Sequence, residues 1–587
     1  MLSENLNKLL YPSKSRAYTL LRTSGLIFSI ASIGVLIYSY GFYHELDELK
    51  KLFLALNILF GTYVLNYCGR LLYSFHRMDF LNRTWFEGVL MVIIVFNMVF
   101  LHFFEMRPLH EAYQMLITNY FFVLIIYEFI KISTKINKIK LEPATTFIIT
   151  FIILIGMGTL LLMLPASTVG RGSMPLIDAL FTATSASCVT GLGVVETGTY
   201  FTFKGQCIIL CLIQMGGLGI ITFATFFSSF FSKGTGIKHQ SMMQDIFSSE
   251  SLLSAQGLFK QIIVITLLIE GIFAVAIFFT WGNEVYFENV NQKIFYSFFH
   301  SVSAFCNAGF SLFTDGLHAP EVRRAYMLHL VIAATIILGG LGFPVIEDVF
   351  SFKNLRERLA FPWKDWKLSS KIAIYTSAGL ITMGTVAYFV LERNNSLQGM
   401  NFMERLITSF FQSVTTRTAG YNTVDFTKLT EPILIVMIFL MFIGGSSAST
   451  AGGIKTSTFY LIVVSAIATI RQRLRVEIGR RTISNDLLFK AYSLFAFAVT
   501  FNFIAVFLLC ITEEGAGFLN LTFEQVSAFG TVGLSTGITP KLSVAGKLII
   551  ITSMFVGRVG ILTLALTLSR RVLITSYRYP SAHVMIG

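Results

Sequence analysis

Twelve apolar runs recur along this chain, near 22–42, 52–69, 87–105, 112–132, 146–165, 205–230, 260–281, 325–346, 371–391, 430–470, 487–511 and 544–569. Most approach the 20 or so residues that an α-helix needs to cross a bilayer. Hydrocarbon offers a peptide group no partner, so a chain built this way crosses lipid as helices. Only 13% of the residues are charged and 54% are hydrophobic, against roughly a quarter charged in soluble domains. The expected fold class is an all-α polytopic membrane protein. The first run follows Lys8, Lys14, Arg16 and Arg22 with no small-residue cleavage pattern after it, so it reads as a first membrane helix and not as a cleaved signal.

The net charge of +13 has a topological explanation. Lys131, Lys135, Lys138 and Lys140 follow one span; Arg356, Arg358, Lys364 and Lys367 lie in a second loop; Arg471, Arg473, Arg475, Arg480 and Arg481 form a third. Intervening loops such as HELDEL at 44–49 and the stretch holding Glu513 and Glu514 are acidic or neutral. Basic loops face the cytoplasm, so the even number of crossings puts both termini inside the cell membrane, with lipid as the surrounding partner and no role for nucleic acid. The six cysteines, Cys68, Cys188, Cys207, Cys211, Cys306 and Cys510, show no metal-knuckle spacing. Cys207 and Cys211 share a helix face and read as small packing residues.

Between successive pairs of runs lies a shorter, hydroxyl-rich stretch. Aligned, these are FTATSASCVTG from Phe181, FHSVSAFCNAG from Phe299, FFQSVTTRTAG from Phe410 and FEQVSAFGTVG from Phe523. Each starts at Phe and reaches Gly ten positions later, at Gly191, Gly309, Gly420 and Gly533, with Ser185, Ser303 and Ser527 in one interior column and Ala186, Ala304 and Ala528 in the next. A second column holds Gly216 and Gly217, Gly339 and Gly340, Gly444 and Gly445, and Gly557 and Gly560, and predicts a glycine break in the second helix of each unit. The chain therefore divides into an N-terminal extension over 1–142 and four units over 143–232, 233–350, 351–482 and 483–587, the last with the C-terminal tail.

Irregular backbone at membrane depth survives only where protein or water covers it. Four equivalent stretches predict convergence on one axis, giving helix, pore loop, helix repeats around a single pore. Glycine lets the backbone aim carbonyl oxygens inward, and a carbonyl ring replaces the water a cation sheds. Short helices such as 178–187 point their negative dipole ends at the same place. Glu196, Asp315 and Asp425 follow three of the stretches and would form either a negative funnel or plain solvated loop positions; the fourth has Pro540 and Lys541.

The motifs SCVTGL, FCNAGF, TRTAGYNT and FGTVGLST, with the GGLG tract, SSASTAGGIKT, FVGRVG and the closing YPSAHVMIG, resemble the Trk/Ktr/HKT superfamily of potassium-transporting membrane subunits over roughly 143–587. The bacterial Ktr and Trk subunits are the nearest kind. The resemblance implies potassium uptake through a channel-like pore, no catalysis, no organic cofactor, a homodimer, and a cytoplasmic nucleotide-binding regulatory subunit of the RCK type. It assigns potassium selectivity to Val189, Thr190, Gly191, Asn307, Ala308, Gly309, Thr418, Ala419, Gly420, Thr531, Val532 and Gly533. It assigns a gate beneath the filter to Gly444, Gly445, Ser446, Ser447, Ala448, Ser449, Thr450, Ala451, Gly452, Gly453 and Lys455, faced by Arg558. Sodium-preferring relatives commonly carry serine at the first filter glycine, and this chain has Gly191, which favours potassium.

From the residues alone, a Gly/Ser/Thr loop has little bulk, bonds its own backbone through hydroxyls and samples many backbone states. A charge at depth such as Arg558 costs at least about 2.5 kcal/mol without compensation, and reads as an electrostatic barrier or latch, or as a structural partner. Lys455 lies either at depth or reaching to the surface, and Glu270, alone in an apolar helix, reads as a support for the pore. Sodium transport or sodium-coupled potassium transport is the alternative within the family. GGIKTST at 452–458 lacks the adjacent Gly-Lys of a phosphate loop, no catalytic constellation appears, and the repeats run in one sense where a symporter's would be inverted. The extension departs from the usual subunit and carries no site residues.

Overall fold

The computed structural model describes residues 2–74, 143–231, 255–281 and 285–560 apart from Arg171 and Arg480, with scattered positions between Met78 and Phe96 and at 563–564. The run near 112–132, most of 87–105, the basic stretch 131–140 and the YPSAHVMIG tail lie outside the described residues. The chain forms two units, Met1–Leu141 with Leu164–Ala166, and Glu142–Met163 with Ser167–Gly587.

In the smaller unit, α1 (Leu2–Gly41) and α2 (Leu46–Tyr73) pack together over Leu36, Leu56, Phe60, Tyr63 and Tyr67. The Asn66 amide donates to Leu21 O at 2.7 Å and Ser24 Oγ at 2.9 Å, tying the pair by a polar bond where apolar association drives little. Both helices outrun their apolar segments.

The larger unit contains the four repeats. The first is α3 (Pro143–Leu162), α4 (Leu176–Ser187) and α5 (Phe203–Phe231); the second is α6 (Ala255–Thr280), α7 (Val290–Phe305) and α8 (Tyr326–Leu341). After α9 (Phe343–Phe350) and α10 (Phe352–Ala360) comes the third, α11 (Leu368–Leu391), α12 (Phe402–Thr415), α13 (Glu431–Phe442) and α14 (Thr456–Ile470). A short hairpin, β1 (Glu477–Ile478) against β2 (Arg481–Thr482), which the sequence did not suggest, precedes the fourth, α15 (Asn485–Thr512), α16 (Phe518–Gly530) and α17 (Val544–Val559). Helix starts follow local chemistry. Asn401 and Glu404 form a capping box on α12, Asn289 accepts from the Gln292 amide on α7, and Ser543 accepts from the Gly546 amide on α17.

The repeats close on themselves. α5 packs on α7, α8 on α12, α13 on α16, and α17 on α4, so each second helix leans on the next repeat's pore helix around a complete circle. Polarity is inverted relative to a water-soluble core. Leu160, Phe279 and Phe503 are 68%, 78% and 74% exposed, whereas Ser185, Ser303, Gln412 and Gln525 are fully buried. Lipid takes the apolar surface and leaves polar groups to pair inside.

Where α11 ends, the buried Glu392 carboxylate accepts from the Thr430 amide at 3.0 Å, the Thr430 hydroxyl at 2.7 Å and the Asn395 amide at 2.9 Å. Burial by itself would raise its pKa, but the Thr430 donors, joined by the Ser396 amide at 3.3 Å and the Ser396 hydroxyl, hold it below the ordinary glutamate value. The clamp fixes the entry to α13.

The glycine columns act differently from the expected breaks. α5 runs unbroken through Gly216–Gly219. A Cβ at Gly216, Gly339 or Gly557 would strike the backbone carbonyl of Ser187, Phe305 or Phe529 respectively, so these glycines let each second helix press against the end of its own pore helix. In the second repeat the break comes later, at Gly342 (φ 79°), where the chain turns by 103° into α9. The third repeat breaks at its column glycines, and in the fourth the helix ends at Gly560 (φ 86°), the second glycine of its column. In the third, α13 and α14, of 12 and 15 residues, are each too short at about 1.5 Å per residue to span a bilayer of about 30 Å. Among the described residues five helices are long and apolar enough to cross a membrane, or six if the bent α8–α10 segment counts as one.

Candidate functional site: a ring of four pore loops

The four pore helices aim their C-termini at one another, and the chain leaves three of them by the same turn. The amides of Val189, Asn307 and Thr531 donate to the carbonyls of Ala186, Ala304 and Ala528, all at 3.1 Å. The next amides, of Thr190, Ala308 and Val532, reach the carbonyls of Ser185, Ser303 and Ser527 at 2.8, 2.7 and 2.8 Å. The serine column of the repeats also uses its hydroxyls. Ser185 Oγ accepts from the Gly191 amide and Ser527 Oγ from the Gly533 amide, both at 3.1 Å, while Ser303 Oγ donates to Phe310 O at 2.9 Å. In the third repeat the role moves one residue along, to Thr415, which donates to Tyr421 O at 2.7 Å.

Backbone geometry is unusual in a repeated way. Val189, Asn307, Thr418 and Thr531 have φ of 58°, 60°, 70° and 50°, and two residues on, Gly191, Gly309, Gly420 and Gly533 have 91°, 68°, 75° and 94°. A left-handed non-glycine costs of order 1–3 kcal/mol and clusters where function over-determines the backbone. Four such residues in register are the sharpest local anomaly in the chain.

The glycines touch in a closed cycle. A Cβ built on Gly191 would lie 3.2 Å from Gly309 Cα; on Gly309, 3.1 Å from Gly420 Cα; on Gly420, 3.1 Å from Gly533 Cα; and on Gly533, 3.1 Å from Gly191 Cα. Against each glycine stands the carbonyl oxygen of the next repeat, those of Ala308, Ala419, Val532 and Thr190 in turn. All twelve residues assigned to selectivity thus gather at one ring, in the order of the chain. Asn307 and Thr418 are joined through their side chains at 3.3 Å, and the buried hydroxyls of Thr190 and Thr531 have no hydrogen-bond partner among the described residues.

The 443–455 loop lies against this ring. Its base is closed by the Gly444 amide on Ile454 O at 2.8 Å and the Thr456 amide on Gly445 O at 3.0 Å. Ser446 N reaches Gly340 O at 2.9 Å, and Thr450 Oγ1 donates to Phe305 O at 3.3 Å and Gly339 O at 3.2 Å. A Cβ on Gly452 would come within 3.0 Å of Thr531 Cβ. Ser446, Ser449, Thr450 and Ala451 are buried, Ser447 is exposed, and Ala448 is left-handed at φ 60°. A segment expected to sample many backbone states is here pinned at each end and in the middle.

Arg558 is 1% exposed and reaches across two repeats: its guanidinium donates to Thr450 O, to Gly216 O at 2.6 Å and to Gly217 O at 3.3 Å. Lys455 stays at depth, half-buried, with Nζ on Ala451 O. Neither has an ion-paired carboxylate among the described residues. Sequence reasoning passed over Arg417, which is 8% exposed three residues before Gly420 and donates to Gly444 O at 3.1 Å. A cation inside a hydroxyl-rich pore loop was the available signal. Carbonyl oxygens thus compensate all three cations around this loop.

Glu270 is buried behind the second pore helix, its carboxylate accepting from Gln214 Nε2 at 3.1 Å and its backbone carbonyl from Ser301 Oγ at 2.7 Å. The acids beyond the ring are less free than a funnel requires. Asp315 pairs with His318 at 2.8 Å and Asp425 with Lys428 at 3.0 Å, while Glu196 accepts from the Thr199 hydroxyl at 3.4 Å. Cys188 and Cys306 are buried, but Cys211 is exposed on α5, so the Cys207–Cys211 pair is not core packing.

Comparison with known proteins agrees with this architecture. The family model for TrkH, described as a cation transport protein, matches residues 113–576, and so begins inside the stretch assigned to the extension. The Ktr system potassium uptake protein B of Bacillus subtilis is 39% identical over 460 residues, covering 77% of this chain and 98% of that protein. The potassium/sodium uptake protein NtpJ of Enterococcus hirae is 37% identical over 462 residues, covering 78% and 100%. The crystal structure of the potassium transporter TrkH from Vibrio parahaemolyticus shares the fold with a TM-score of 0.61 at 16% identity, over 94% of this chain and 98% of that one. That coverage necessarily reaches into 1–142. The chain belongs to the TrkH/Ktr family of cation transport proteins, multi-pass membrane proteins that move ions and are not enzymes.

Proposed function

We propose that this protein takes up potassium across the cell membrane through one pore per chain, with the ring at Gly191, Gly309, Gly420 and Gly533 as its filter and the 444–455 loop with Arg558 as its gate. The observation that carries the reading is the closed cycle of glycines, each against the next repeat's carbonyl oxygen. Such a ring offers a dehydrated cation four equivalent ligands, and the resemblance to the Trk/Ktr/HKT superfamily implies that glycine at all four places favours potassium over sodium. The unpartnered hydroxyls of Thr190 and Thr531 add two oxygens beside the ring. The driving force is the membrane potential, about 2.3 kcal/mol per elementary charge per 100 mV, so the chain needs no hydrolysis.

The names of the relatives support a potassium cargo, and the system name Ktr supports a regulatory partner. We assign that partner the RCK type, cytoplasmic and nucleotide-binding, acting on a homodimer whose termini face the cytoplasm. The name of NtpJ, which includes sodium, keeps sodium as the competing cargo. Flux into vesicles holding the purified protein separates the two: rubidium entry is expected to exceed sodium entry by at least about a hundredfold, a difference of roughly 2.8 kcal/mol. Equal entry would overturn the potassium assignment.

A further inference from the structure

Beyond each ring glycine the chain runs outward without regular structure, so side-chain bonds must fix its position. In the second repeat, His300, nine residues before Gly309, hydrogen bonds through Nε2 to Ser311 Oγ at 3.1 Å, two residues after that glycine. In the fourth, Glu524 occupies the same column before Gly533 and accepts from the Thr539 hydroxyl, which also bonds Ser535 Oγ at 2.9 Å. Ser311 and Ser535 are equivalent, and each accepts from the amide two residues on, Phe313 at 3.1 Å and Gly537 at 3.0 Å. The third repeat has Phe411 in the column but shifts the tie by one residue at both ends, Gln412 Nε2 donating to Thr423 Oγ1 at 2.8 Å. The first repeat shows none among the described residues: Thr182 Oγ1 is unpartnered there, and Gly193 stands in the serine position.

Three unlike side chains, fully buried on three pore helices, therefore do one job. We propose that His300, Gln412 and Glu524 are positioning residues for ion selectivity, each strapping the strand beyond its ring glycine to the helix behind. The inference rests on the filter reading above. A carbonyl ring discriminates by where its oxygens stand and how far they yield, so loosening a strap lets the ring relax around the wrong ion. The His300 strap is also shared between repeats. The Tyr421 ring stacks on His300 with centroids 6.4 Å apart, and its hydroxyl donates to Phe310 O at 3.3 Å.

The test compares rubidium and sodium entry into vesicles, with the thermal unfolding midpoint of each variant as the control for folding. Ser311→Ala, Thr423→Val and Thr539→Val cut the straps from the strand side without touching a pore helix. Each is expected to lower the rubidium-to-sodium ratio by about tenfold, the effect of roughly 1.4 kcal/mol, with little change in unfolding midpoint. Glu524→Leu should do the same, and Glu524→Gln, which keeps the accepting oxygen, should recover most of the ratio. Wild-type ratios in all strand-side variants would overturn the inference while leaving the filter reading intact. A Glu524→Gln ratio as low as that of Glu524→Leu would also overturn it, because charge and not the bond would then matter. Failure of the wild type itself to prefer rubidium would instead strike the filter reading.

Discussion

Gly309→Asp is expected to abolish rubidium entry, with a fall of at least about a hundredfold, in protein that reaches the membrane at wild-type level. The backbone at 309 has φ 68°, and a Cβ there would lie 2.6 Å from Ala419 O and 3.1 Å from Gly420 Cα. Aspartate tolerates a left-handed backbone better than most residues, so the loss comes mainly from contact: the ring must open at its second-to-third junction, or the residue must leave the left-handed well. Either movement removes a carbonyl from the cycle. Misplacing it by enough to lose roughly 2.8 kcal/mol gives the hundredfold effect. Gly309→Ala carries the same contact, and alanine fits a left-handed backbone less well than aspartate, so its flux should fall comparably. Flux through Gly309→Asp within a few-fold of wild type would show that the ring glycines do not bound the ion path.

Deleting Ser446–Ala451 is expected to raise flux by about tenfold or more. The loop's base is already closed by the Gly444–Ile454 and Gly445–Thr456 bonds, and a Cβ on Gly444 would strike Gly452 O, so the shortened chain can rejoin without dragging α13 or α14. What disappears is the middle of the loop, including the Thr450 carbonyl that receives Arg558 and the Thr450 hydroxyl that reaches Phe305 O and Gly339 O. Vesicle flux is the readout, with size-exclusion behaviour as the folding check. An intact deletion with unchanged or lower flux would remove the loop from the role of gate.

The repeat was legible because its constraints are local. Phe at one end, Gly ten residues later and serine between each report a backbone need, and the same turn appears in three repeats with hydrogen bonds that agree within 0.1 Å. What the columns could not report was distance in space. The cyclic order of the repeats follows from how each second helix leans on the next pore helix, a property of tertiary packing. The GGLG tract was misread for the same reason: glycine permits a break and it permits close approach, and only the position of Ser187 O against Gly216 tells which. Gly342, where the chain turns, and Gly560, where the last described helix ends, have a positive φ that no sequence displays.

Buried polar side chains were the least legible class. Arg417, His300 and Glu524 stand in plain view in the sequence, but their partners are carbonyls and hydroxyls 11 to 27 residues further on, and those pairings depend on how the chain folds back beyond each pore helix. Of the two readings open for the acids beyond the ring, a negative funnel or solvated loop positions, the structure favours the second: Lys428 pairs with Asp425 and His318 hydrogen bonds Asp315.

Anomalous scattering from crystals grown in rubidium tests the central claim most directly. The account predicts a rubidium peak on the axis enclosed by Gly191, Gly309, Gly420 and Gly533, within coordinating distance of the carbonyl oxygens of Thr190, Ala308, Ala419 and Val532. Well-ordered loops with no peak inside that ring, and rubidium found elsewhere in the membrane unit, would contradict it.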